Sequence, residues 1–172
     1  MSAFADLQKN PLENSVDLNY NECFNIFIRK FDSMINKTEL REIIKASDTA
    51  RIKTVLQDNP SLIRKIQRML YDVDEDVRWG AARAFGIAST VLEIERMKDI
   101  MRQLVWMINE ESGNNCWFAP QAIGEIGRHR PDLVEDFIGC LKEFHKYPDS
   151  KIREGLDYAF KVFREAGLEF SD

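Results

Sequence analysis

Three stretches of this chain, DEDVRWGAARAFG from Asp74, SGNNCWFAPQAIG from Ser112 and DSKIREGLDYAFK from Asp149, begin 38 and then 37 residues apart and align without a gap. A period of that length leaves few architectures. Each unit is one helix pair that cannot cover its own apolar face and must bury it against the next unit. The spacing therefore predicts an all-α fold, an α-solenoid of antiparallel helix pairs whose stacking creates an extended surface for binding.

The alignment also predicts which side chains are buried. In the first helix of each unit, Leu62, Ile63, Ile66, Met69 and Leu70 recur as Ile100, Met101, Leu104, Met107 and Ile108, then as Phe137, Ile138, Leu141, Phe144 and His145, of which only the last departs from the pattern. In the second helix, Val77, Ala81, Ala84, Phe85 and Ala88 become Asn115, Ala119, Ala122, Ile123 and Ile126, then Ile152, Leu156, Ala159, Phe160 and Phe163. These sets follow the helical period and mark one buried stripe. Asp74, Ser112 and Asp149 stand ahead of each second helix, where a side-chain oxygen satisfies free backbone N–H groups. Short turns are expected at Tyr71–Val73, Asn109–Glu111 and Lys146–Pro148.

Ahead of the repeats the pattern is irregular. Residues 1–16 are polar or small, contain Pro11 and read as a loosely held tail. Phe24, Phe27, Ile28, Phe31 and Ile35 then draw one apolar stripe, as expected of a helix capping the open end of the stack. Short helices are expected from Thr38 to Ala46, with Thr38 as N-cap, and from Thr49 to Gln57. The organisation is thus a tail over 1–16 and a single domain over 17–172, with capping helices at 17–59 and repeats at 60–90, 91–128 and 131–167.

The turn and helix DVDEDVRWGAARAFG, from Asp72, resembles the second helix of a HEAT repeat, especially the short variety known from phycobilisome lyases, in its Val-Arg pair, its alanines and its terminal glycine. The likeness covers about residues 60–166. It departs where Asn115-Cys116 replaces Val77-Arg78 and where Lys161 replaces the glycine. The resemblance implies a HEAT/armadillo-like superhelix. It implies no particular chemistry, because similar units serve scaffolds, lyases and nucleic-acid enzymes.

In proteins similar to this one the second helices line the concave face, which directs attention to their positions outside the apolar stripe. Trp79, Trp117 and Glu154 share one such position; Arg83, Gln121 and Tyr158 follow a turn later, and Ile87, Glu125 and Val162 a turn after that. Side chains four apart share a helix face, so these form a grid of aromatic, amide and charged groups across the repeats. Trp and Arg are frequent anchors of protein interfaces. Pro120 lies within the second of these helices and requires a kink or a late start, which would free N–H groups near Asn114, Asn115 and Cys116 for an anion. The partner-binding candidates are Trp79, Arg83, Asn114, Asn115, Trp117, Gln121, Glu125, Glu154 and Tyr158.

Composition narrows the classes. The net charge of -5 argues against a globally basic nucleic-acid binder, although residues 37–70 hold eight Lys/Arg against four acids. That local excess fits a solvated basic face and would also steer an acidic partner to the first half of the chain. Three cysteines, an odd number without C-x-x-C spacing, suggest reduced thiols in a cytoplasmic protein. No membrane span, leader, metal motif, catalytic triad or phosphate loop stands out, so no catalytic residue, metal or cofactor is expected. Gly80, Gly86, Gly124 and Gly155 read as close-packing positions within helices.

The expected function is a non-catalytic scaffold or adaptor holding a segment of another protein in its concave groove. Two alternatives follow from resemblance alone. DNA alkylpurine glycosylases are similar in their HEAT-like helices, and the phycobilisome-lyase likeness implies a lyase or chaperone for a tetrapyrrole-bearing protein.

Overall fold

The computed structural model describes residues 35–109 and 113–170. The chain divides between Ile35 and Asn36. The expected tail over 1–16, the stripe from Phe24 to Phe31 and the cap at Ser112 lie outside the described residues.

Among the described residues the fold is all helical, with no strand. Helices α1 (Lys37–Lys45) and α2 (Thr49–Asp58) precede a 3-10 turn at Pro60–Leu62 that leads into α3 (Ile63–Met69). Then come α4 (Glu75–Ser89), α5 (Ile94–Ile108) and α6 (Ala119–His129). Two further 3-10 turns, Pro131–Leu133 and Glu135–Phe137, introduce α7 (Ile138–His145), and α8 (Ser150–Glu165) follows.

The helix starts follow capping chemistry. Asp74 accepts from the amide of Asp76 at 3.0 Å, and Asp149 from those of Lys151 and Ile152 at 2.9 and 3.2 Å. The cap of α1 is Asn36 rather than Thr38, its side chain accepting from the Glu39 amide at 2.8 Å. Asn and Asp reach the N2 and N3 amides readily from the N-cap, which draws the helix start back to the residue that can do so.

Of the fifteen aligned second-helix positions, all except Asn115 are buried. This face joins the helices to one another: α4 packs along α6 and α6 along α8, the two most extensive helix interfaces. Helices α3, α5 and α7 each pack onto the second helix of their own repeat, and α1 also packs on α4. Small residues set the spacing. A methyl at Gly80 would collide with the carbonyl oxygen of Ile44 on α1, and one at Gly86 would lie 2.7 Å from the carbonyl oxygen of Glu125 on α6.

The second repeat breaks the register. Glu75 opens α4, and its counterpart 38 residues on is Gly113, yet α6 begins only at Ala119. Pro120 accounts for this, since it is accommodated in a first helical turn and would clash with a carbonyl one turn earlier if the helix ran on. Asn115, Cys116 and Trp117 therefore belong to an irregular segment, not to the helix on which the repeat alignment sets them.

Candidate functional site

Where α6 lacks its opening turns, a groove of about 890 Å³ lies between the N-terminal halves of α4 and α8. Its walls are the turn Tyr71–Val73, the segment from Gly113 to Phe118, one face of α4 and one face of α8, with Gln121 on α6.

Aromatic rings dominate the interior. Trp79 meets Phe118 edge to face at 5.5 Å between centroids and Tyr158 at 5.0 Å. The second of these contacts joins α4 to α8 across the start of α6. Arg78 braces the turn by donating to the backbone oxygens of Asp72 and Val73 at 2.7 and 3.1 Å, and its guanidinium lies 4.8 Å from the Phe118 ring centre. Such cation–π contacts are attractive and hold the rings in place.

At the mouth Trp117 is 47% exposed. Its indole N–H donates to Asp149 at 3.2 Å, and the Lys151 ammonium sits 3.7 Å above its ring. Both partners come from the start of α8, so Trp117 is fastened across the groove entrance by that helix. An indole with half its surface in water and its edge already oriented is a suitable anchor for an apolar side chain.

Gln121 is 8% exposed, and its Oε1 is a buried polar atom with no hydrogen-bond partner among the described residues. The oxygen lies over Gly155, where a methyl would approach it to 2.7 Å. Deeper along α6, Glu125 is buried and fully engaged: Tyr158 donates to Oε1, and the Arg128 Nε donates to Oε2 at 3.2 Å. Burial and the Glu125 carboxylate raise the pKa of Tyr158, so its hydroxyl keeps its proton.

Seven of the nine sequence candidates line the groove: Trp79, Asn114, Asn115, Trp117, Gln121, Glu154 and Tyr158. Arg83 and Glu125 do not. Arg83 extends from the exposed side of α4, donates to the Ser47 hydroxyl at 3.0 Å and rests 5.9 Å from the Trp79 ring centre. The outer row of the expected grid, Ile87, Glu125 and Val162, is buried. Phe118, Lys151 and Arg78 contribute to the site without having been singled out by the repeat alignment. Arg78 is the arginine of the Val-Arg pair that the second repeat lacks.

The approach to α4 is acidic, but its charges are matched. Arg41 pairs with Asp72 at 3.0 Å and Lys45 with Asp74 at 2.6 Å. These bonds hold both carboxylates below their usual range, Asp72 through Arg41 and Asp74 through Lys45. Three of the eight basic residues read between residues 37 and 70 thus have acidic partners, since Arg51 also pairs with Glu39 at 2.9 Å.

Cys116 is completely buried, with its thiol pushed up to about 11 by desolvation, as befits a packing residue. Among the described residues no three His, Cys, Asp or Glu side chains are grouped to hold a metal ion. Nor is any described helix long and apolar enough to cross a membrane.

Comparison with known proteins adds one relative, an uncharacterized protein of Archaeoglobus fulgidus that is 36% identical over 109 residues, 59% of this chain. The chain covers 56% of that protein's length. No family model matches the chain. No solved structure matches it.

Proposed function

We propose that the chain is a short HEAT-like α-solenoid that works as a non-catalytic adaptor, holding a segment of another protein in the groove above the start of α6. The observation that carries this reading is the ring contact between Trp79 and Tyr158, 5.0 Å across an intervening helix. Side chains of next-nearest helices meet in this way when a row of helices curves toward the face bearing them. The contact, made over the late start of α6, supports reading this face as concave, the shape expected of a solenoid's binding side.

The chemistry of the groove suits recognition. Five aromatic side chains, Tyr71, Trp79, Trp117, Phe118 and Tyr158, offer apolar area, while the Glu154 carboxylate offers an acceptor to a partner's N–H groups.

The test is the affinity of whatever protein is recovered with the chain from its native cells. Trp117→Ala removes the exposed anchor while leaving the Trp79 cluster intact, and should weaken that complex about thirtyfold, as for an interface hot spot. An affinity equal to that of the unaltered chain would remove the groove from consideration.

A further inference from the structure

A second surface lies on the outer side of the repeats, between α3 and α5. Trp106 is 60% exposed, has no ring partner among the described residues and stands in a shallow groove of about 420 Å³. Arg64 and Arg68 of α3 form the facing wall, with Gln103 beside the indole.

Charge is what distinguishes this surface. Helix α3, IRKIQRM, contains no acid. The guanidinium groups of Arg64 and Arg68 make no ion pair or hydrogen bond among the described residues, whereas Arg41, Lys45, Arg51 and Arg78 each have an acidic partner. Among the described residues, therefore, two unneutralised guanidinium groups flank a large exposed indole and no carboxylate lines the groove. The chain as a whole carries -5, so the local sign is the reverse of the global one.

We propose that this groove, which adjoins the groove above α6 at Tyr71, is a docking site of its own for an acidic peptide segment with an apolar anchor. Arg64 and Arg68 are four apart, so their side chains rise from one helix face with Cβ atoms about 5–6 Å apart. Alternate residues on one side of an extended peptide are spaced about 6.6 Å, which lets two carboxylates reach the two guanidinium forks together. Between or beside them an apolar residue lies on Trp106. A nucleic acid fits less well, because a uniform polyanion would meet the acidic remainder of the chain, whereas a short acidic segment needs to satisfy only two cations.

The test uses a fluorescein-labelled, acetylated peptide of sequence Glu-Leu-Glu-Phe-Glu, its Gln-for-Glu counterpart and a labelled oligothymidylate, each titrated into the full chain and followed by anisotropy. The acidic peptide should bind, and the Gln counterpart should bind at least about tenfold more weakly, the worth of one charge-assisted contact. Arg64→Ala with Arg68→Ala should produce a loss of the same size or more, and Trp106→Ala should also weaken binding. Lys53→Ala, which removes an exposed charge on α2, serves as the control for non-specific attraction and should have little effect. Absence of binding, equal affinity for the two peptides, or equal losses with Lys53→Ala would overturn the proposal. Tighter binding of oligothymidylate that depends on Arg64 and Arg68 would overturn it in favour of a nucleic-acid surface.

Discussion

Tyr158 of α8 donates its hydroxyl hydrogen to Glu125 of α6, and the second oxygen of that buried carboxylate accepts from Arg128 at 3.2 Å. Removing the hydroxyl leaves a charged oxygen short of a donor without opening a large cavity. Tyr158→Phe should therefore lower stability by about 1.5–3 kcal/mol, the cost associated with a hydrogen bond to a charged group, as read from urea unfolding. The Trp79 ring contact survives the change, so near-ultraviolet circular dichroism of the folded variant should be preserved.

Gly80 makes a sharper demand. An Ala there would gain up to about 1 kcal/mol of helix propensity, but its methyl would collide with the Ile44 carbonyl, which as backbone cannot swing aside. The steric cost of overpacking, about 1–3 kcal/mol, exceeds that gain. Gly80→Ala should lower the unfolding midpoint, and Gly139→Ala, at a position with nothing within 4 Å, should not.

Acid should weaken the attachment of α1. The pKa values of Asp72 and Asp74 are lowered in the fold by Arg41 and Lys45, so their contribution is complete above the unfolded carboxylate value of about 3.9 and disappears as pH falls through the lower folded values. The stability difference between the wild type and Arg41→Gln should accordingly shrink between pH 7 and pH 3. A difference that stays constant would mean that these pairs do not couple folding to protons.

Cys116 should resist alkylation in the folded chain. Its thiol is fully buried and titrates near 11, whereas Cys140 is exposed. Iodoacetamide at neutral pH, followed by peptide mass spectrometry, should label Cys140 first and Cys116 only after denaturation.

The two indoles of the groove should separate in stability measurements. Trp79 packs against Phe118 and Tyr158, so Trp79→Ala should cost about 3 kcal/mol, while Trp117→Ala, at a half-exposed ring, should cost less than about 1 kcal/mol. Comparable losses would make Trp117 a structural residue.

The buried face was legible in the chain because it depends on a periodicity that every repeat obeys, and burial of Ala81, Ala119 and Leu156 at one aligned position follows from that alone. Phe137, Phe144 and His145 in the last repeat's first helix are only half-buried, and the exception among the second helices, Asn115, shows what such an alignment lacks. It treats equal spacing as equal conformation, whereas Pro120 makes the helix start late and places Trp117 on a loop. The contacts of Trp117 depend on Asp149 and Lys151, more than thirty residues away, and no local pattern encodes that encounter. Trp79, Gln121 and Tyr158 were legible because they lie on helices whose phase the repeat does determine. The N-cap of α1 was misplaced by two residues for a simpler reason, since Asn36 and Thr38 are both able caps and only the backbone geometry selects between them.

Helix α6 has 11 residues where α4 has 15 and α8 has 16. Its start lags the repeat register by six residues, and at 1.5 Å per residue this removes about 9 Å of rod from the middle of the row. A helix with its side chains is about 10–12 Å thick, so the vacancy is too narrow to seat one, while an extended chain, which needs about 5 Å between neighbours, enters it. On the reading proposed above, a partner segment held in this groove should be an extended strand of peptide rather than a helix.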